Sequence, residues 1–144
     1  MAYIFVVDDD SVLLGLISTA LRLDGHDVKT ISDPVAARDT IAAECPPMDL
    51  FITDAEMAPI SGFQLVKSLD DKCITCPVIF ISEHHGLATV ISQSMGYRAV
   101  IEKPFTAPVL RAGVQKALAA AKPASPNVGT AAAGTKSRSA DTLA

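Results

Sequence analysis

Cysteine, basic residues and long apolar runs are all scarce in this sequence, and each shortage removes a class of protein. Among 144 residues there are three cysteines, Cys45, Cys73 and Cys76. An odd, sparse set without an export signal suits a reducing cytoplasm and offers no disulfide framework. Cys73 and Cys76 form a CxxC, but no second pair completes a zinc set, and the pair does not open a helix after a strand as a redox motif would. Lys and Arg number 12 against 16 Asp and Glu, a formal charge of -4. That balance argues against a nucleic-acid scaffold or a basic membrane-surface protein. No run reaches the roughly 18 apolar residues needed to span a bilayer. The start, Met1 to Phe5, has no basic region and runs directly into three acids, so it does not read as a signal peptide.

What remains is one domain's worth of chain, long enough to bury about two-thirds of the surface it exposes when unfolded. The charge is unevenly spread. Residues 1–121 carry 9 Lys/Arg and 15 Asp/Glu, whereas residues 122–144 carry 3 and 1. The composition changes at the same place. From Lys122 onward the chain is mostly Ala, Pro, Ser, Gly and Thr, which cannot offset the entropy of ordering it. We expect a folded domain over 1–121 and a disordered tail or linker over 122–144, with no recognisable output domain in it.

Within 1–121, short β-branched runs alternate with helical spacing. The runs are Tyr3–Val7, Val28–Ile31, Leu50–Thr53, Val78–Ile81 and Ala99–Ile101. Val12/Leu13, Leu16/Ile17 and Ala20/Leu21 repeat at helical spacing up to Gly25. Asp33-Pro34 reads as a cap followed by proline in the first turn of a helix through Glu44. A third helix is predicted over Gly62–Asp71 and a fourth over Leu87–Gly96, with Leu87, Val90, Ile91, Ser94 and Met95 on one face. Thr106 caps a fifth, with Val109, Leu110, Gly113, Val114, Ala117 and Leu118 on one side. Five strands alternating with five helices, the strands apolar on both faces, predict an α/β fold with a doubly wound parallel sheet. In such folds the chemistry sits at the carboxyl ends of the strands.

Those ends carry Asp8, Asp9 and Asp10 after the first strand, Asp54 after the third, Ser82 after the fourth and Lys103-Pro104-Phe105 after the fifth. Asp10 also reads as a helix cap, because Asp10-Ser11 sits where the first helix begins. Gathered carboxylates raise one another's pKa unless a cation neutralises them, and a hard cation with oxygen ligands is the natural partner. A lysine and a serine opposite the acids can both donate to an anionic oxygen. The pattern is that of a phosphoryl site.

On these residues the chain resembles the receiver domain of two-component response regulators, in the chemotaxis-regulator-like, single-domain form. The resemblance rests on Phe5-Val6-Val7-Asp8-Asp9-Asp10, on Leu50-Phe51-Ile52-Thr53-Asp54 with Met57, Pro59 and Gly62, on Val78-Ile79-Phe80-Ile81-Ser82, and on Lys103-Pro104-Phe105. It implies a flavodoxin-like (βα)5 fold with strand order 2-1-3-4-5. It makes Asp54 the phosphoacceptor, receiving its phosphoryl group from a sensor histidine kinase or a histidine phosphotransfer protein. Mg²⁺ would be held by Asp9, Asp54 and the backbone carbonyl of Glu56, with Asp8 acting through water. Ser82 and Lys103 would bind phosphoryl oxygens, and the Lys103–Pro104 bond would be cis. The protein would be a cytoplasmic phosphoacceptor rather than a conventional enzyme. It would contact neither nucleic acid nor membrane, and would signal to an unidentified protein partner. The signalling surface would be the fourth predicted helix, fifth strand and fifth predicted helix, which would also serve for any homodimer.

Four positions depart from the commonest family pattern. Pro59 comes one residue late, after Met57-Ala58, although Gly62 keeps its usual distance from Asp54. Glu56 and His84 stand two residues after Asp54 and Ser82, at the mouth of the site. The switch position is Val100, which lacks the usual aromatic ring and is stiff about χ1. Two other readings compete. A pseudo-receiver would bind partners without phosphorylation, which Val100 and Pro59 favour and the full set of site residues disfavours. A haloacid-dehalogenase-type phosphatase would use Asp8 and Asp10, but it needs acids after the lysine, and residues 104–140 have none.

Overall fold

The computed structural model describes residues 2–44, 47–72, 74–83 and 97–121. The strands are β1 (Tyr3–Val7), β2 (Asp27–Ile31), β3 (Leu50–Asp54), β4 (Val78–Ser82) and β5 (Arg98–Glu102). The helices are α1 (Ser11–Leu23), α2 (Pro34–Glu44), α3 (Gly62–Asp71) and α4 (Ala107–Ala121). Thus α4 is the fifth helix expected from the sequence. The expected fourth helix, His84, Cys45, Cys73 and the segment 122–144 lie outside the described residues.

All five strands are parallel, in the order β2-β1-β3-β4-β5. The inner strands β3 and β4 are buried at every position, and β1 at all but its first, which explains their unbroken apolar runs. Side chains two apart share a face, so each strand feeds two cores. Ile4, Val6, Leu50, Ile52, Ile79 and Ile81 pack with Leu14, Ile17 and Leu21 of α1 and with Leu110, Val114 and Ala117 of α4. Phe5, Val7, Phe51, Val78 and Phe80 pack with Ala37 and Ile41 of α2 and with Leu65, Val66 and Leu69 of α3. The doubly wound arrangement expected from the sequence is therefore present among the described residues.

Each helix starts where its chemistry says it should. The Asp10 carboxylate accepts from the Val12 and Leu13 amides at 3.0 and 3.2 Å. Asp33 accepts from the Val35 amide at 3.0 Å, ahead of Pro34. Ser61 and Gln64 form a reciprocal capping box on α3. The Thr106 hydroxyl accepts from the Val109 amide at 3.4 Å. Beyond α1 the chain turns at Gly25, whose φ of 89° is open to glycine at little cost.

Two helical faces differ from expectation. On α1 the buried residues are Leu14, Ile17, Ser18 and Leu21, while Val12 and Leu16 are 72% and 63% exposed. The apolar pairs wrap too wide an arc for all of them to meet a flat sheet, and Ser18 enters the core by donating to the Gly15 carbonyl at 3.1 Å. On α4, Val109 is exposed, whereas Leu110, Val114 and Ala117 are buried.

Candidate functional site

Parallel strands end on one edge, so four side chains distant in sequence meet there. Asp8 follows β1, Asp54 and Ser82 are the last residues of β3 and β4, and Lys103 follows β5. Main-chain hydrogen bonds extend the sheet just past these ends. The Ala55 amide donates to the Ile81 carbonyl at 2.9 Å, and the Lys103 amide to the Ser82 carbonyl at 2.8 Å. These bonds fix where the side chains start.

Asp54 is 4% exposed and held on both oxygens. Its Oδ2 accepts from Lys103 Nζ and its Oδ1 from the Glu56 amide, both at 3.0 Å. Its carbonyl accepts from the Thr53 hydroxyl at 3.1 Å. Gly62, at the start of α3, lies so close that a Cβ there would collide with the Asp54 carbonyl oxygen. The requirement for glycine at this position is one of space.

Asp8 is completely buried. Its Oδ1 accepts from the Asp10 amide at 2.9 Å, while its Oδ2 has no partner among the described residues. Burial pushes its pKa up from 3.8 to about 6; the Asp10 amide opposes this, the Asp54 charge adds to it, and Lys103 and Asp9 act more weakly in opposite directions. Asp9 is exposed, and Asp8, Asp9 and Asp54 can each offer one oxygen, all within 4.8 Å of one another. An orphaned, buried carboxylate oxygen within an all-oxygen donor set fits a hard divalent cation. Across from the acids, burial alone would lower the Lys103 pKa. Its hydrogen bond to Asp54 and the charges of Asp54, Asp8 and Glu83 together raise it above the ordinary lysine value.

Ser82 is fully buried, and its Oγ donates to Glu56 Oε2 at 2.9 Å. Asp8, Asp9, Asp54, Glu56, Ser82 and Lys103 are thus brought together. The Lys103–Pro104 bond is cis, and so is Ala58–Pro59, in the loop where proline stands late. Val100 lies beside Phe80 in the sheet and packs into the core on the α2–α3 side, with β4 between its strand and that of Asp54.

Sequence reasoning overlooked three features of the site. The Glu56 side chain bridges to Ser82. The Thr53 hydroxyl supports the Asp54 carbonyl. Glu83 lines an open cavity of about 580 Å³ with Leu13, Leu16, Lys103, Pro104 and Phe105. An acid directly after the serine that ends a site-facing strand was the available signal for Glu83. Nothing local signalled the Glu56 bridge, which spans 26 residues.

The arrangement places oxygen donors suited to a divalent cation beside a lysine and a serine hydroxyl, both able to donate to an anionic oxygen. Residues 4–115 match the model of the response regulator receiver domain. The chain belongs to that family. Among receiver-containing relatives, it is 32% identical over 119 residues to a chemotaxis protein CheY homolog of Campylobacter jejuni, covering 80% of this chain and 91% of that one. It is 26% identical over 109 residues to the response regulator SaeR of Staphylococcus epidermidis, covering 74% of this chain but only 45% of SaeR. The receiver domain of a Clostridium thermocellum response regulator superposes with a TM-score of 0.72 at 27% identity, covering 83% of this chain and 95% of that one. The receiver family is a signalling family, and its members generally bind Mg²⁺ in an acidic pocket of this kind. No helix among the described residues is long and apolar enough to cross a membrane.

Proposed function

We propose that this receiver is a phosphoacceptor, with Asp54 as the residue modified. The observation carrying the reading is the setting of the Asp54 carboxylate, buried beside two other carboxylates yet held at 3.0 Å by Lys103 and by the Glu56 amide. A buried carboxylate paired with a fixed cation and aimed by a main-chain amide is what a carboxylate nucleophile needs.

In the proposed transfer an Asp54 carboxylate oxygen bonds to phosphorus. The N–P bond of a kinase or phosphotransfer-protein phosphohistidine breaks, and the departing imidazole nitrogen keeps the bonding pair and takes a proton. Asp9, Asp54 and the Glu56 carbonyl would hold Mg²⁺, with Asp8 acting through water. Mg²⁺ would supply charge neutralisation for the phosphoryl oxygens. Lys103 passes from Asp54 Oδ2 to a phosphoryl oxygen, and Ser82 donates to another. Charge on those oxygens dominates such transition states, so placement of these donors is the protein's main contribution.

The setting is proposed to be cytoplasmic, and the partners are a histidine kinase or phosphotransfer protein and a downstream protein. Signalling passes through Ser82 to the region of β5, α4 and the segment preceding β5. Val100 lacks an aromatic ring, so aromatic switching at that position plays no part.

Labelling with acetyl phosphate in Mg²⁺ tests the reading. The unsubstituted chain is expected to incorporate one acid-stable, base-labile phosphoryl group, and Asp54→Asn none. An unlabelled wild type sinks the mechanism, and an equally labelled Asp54→Asn sinks the residue assignment.

A further inference from the structure

Glu56 touches the site at two described points. Its amide donates to Asp54 Oδ1 at 3.0 Å, and its carboxylate accepts the Ser82 hydroxyl at 2.9 Å. A serine hydroxyl has one proton to donate. The same Ser82 proton is required, on the reading above, by a phosphoryl oxygen on Asp54. The two acceptors therefore exclude each other.

We propose that the Glu56 carboxylate is a latch that holds Ser82 in the resting state and is released when Asp54 becomes phosphorylated. This deepens the phosphoacceptor reading and rests on it. Hydrogen bonds to an ionised acceptor are stronger than neutral ones, so the resting position of Ser82 is favoured by more than packing. Ser82 is fully buried, whereas Glu56 is exposed. Breaking the bond therefore frees a carboxylate that can return to water, while the hydroxyl remains inside with the phosphoryl oxygen as its new acceptor. A phosphoryl group adds negative charge beside Glu56, and like charges repel. The modification thus both competes for the proton and expels the residue that held it. With Val100 in place of an aromatic, the resting state of this receiver is set by a hydrogen bond at the mouth of the site rather than by a ring at the far side of β5. Glu56 acts here as a positioning residue, through Ser82.

The experiment is a double-mutant cycle read by beryllium trifluoride, a tetrahedral phosphoryl mimic, titrated in saturating Mg²⁺ and followed by fluorine NMR. Glu56→Ala removes both a nearby negative charge and the latch. In the Ser82→Ala background it removes only the charge. We expect Glu56→Ala to tighten binding about tenfold more in the Ser82 chain than in the Ser82→Ala chain, the size of one charge-assisted hydrogen bond. Glu56→Gln, which keeps an acceptor oxygen, is expected to fall between wild type and Glu56→Ala. Equal tightening in both backgrounds overturns the latch and leaves the phosphoacceptor reading standing. Failure of the wild-type chain to bind the mimic, with no acetyl phosphate labelling, overturns both.

Discussion

The two ends of the sheet each hold a charged pair, and the pairs are built differently. At the carboxyl end Lys103 meets Asp54 at 3.0 Å, and at the amino end Arg98 meets Asp70 at 2.9 Å. Each end also leaves one buried atom without a partner among the described residues, Asp8 Oδ2 at one and Arg98 Nε at the other. Arg98 is a cation already matched by Asp70 through Nη2, and its Nη1 donates to both the Cys76 and Tyr97 carbonyls, at 3.5 and 3.3 Å. Its pair ties α3 to β5 and is complete. The carboxyl end gathers Asp8, Asp9 and Asp54 around one lysine, and its orphan is an acceptor among acceptors. An added cation, a proton or a donor such as a cation-bound water satisfies it. One end is closed and supports the fold, while the other keeps a deficit that a ligand can fill.

The sharpest way to break this contrast is to damage the closed end. Asp70→Ala leaves a guanidinium that is 4% exposed without its carboxylate, and is expected to cost about 3 kcal/mol by urea denaturation. Acetyl phosphate labelling of the folded variant should stay within about twofold of wild type. A labelling collapse at retained stability would show that the two ends are not separate.

The opposite sign is expected at the open end. Asp8→Asn removes a buried charge, and without metal it should stabilise the domain by about 2 kcal/mol at neutral pH while weakening Mg²⁺ binding at least tenfold by calorimetry. The folded-state pKa of Asp8 is raised, so the native domain binds a proton there before the unfolded chain does. Stability from this group therefore rises as pH falls through about 6 towards 3.8, and the gain is complete below that. Carried from 3.8 to about 6, the carboxyl corresponds to roughly 3 kcal/mol. The advantage of Asp8→Asn should accordingly shrink to nothing near pH 4, and a constant difference across that window would contradict the buried-charge account.

The smallest effect is expected away from both ends. Leu16→Ser on α1 replaces a residue that is 63% exposed and should change stability by less than about 0.5 kcal/mol in thermal melts. A loss of several kcal/mol would place Leu16 in the core instead.

Much of the architecture was legible because local chemistry sets it. Gly62–Asp71 emerged as a helix with its expected bounds, and Asp33-Pro34 opened α2 as capping rules dictate. Asp8, Asp9, Asp54, Ser82 and Lys103 were legible as a group because parallel strands bring their carboxyl ends to one edge. What stayed hidden was non-local or a matter of angle. Asp70 and Arg98 are 28 residues apart, and neither stands in a motif. Which apolar stripe of α1 meets the sheet depends on how the helix is rolled against it, which periodicity leaves open by about a residue. The Glu56–Ser82 bond depends on a side-chain rotamer that no spacing rule encodes.

Gly62 has one further consequence. Its missing side chain lets the first turn of α3 press against the Asp54 carbonyl, so the main chain beneath the carboxylate has no room to retreat. With the Thr53 hydroxyl on that same carbonyl and two donors on the carboxylate, few orientations remain to Asp54. The entropy of aiming the proposed nucleophile is thereby lost once, during folding, and not again at every encounter with a phosphodonor.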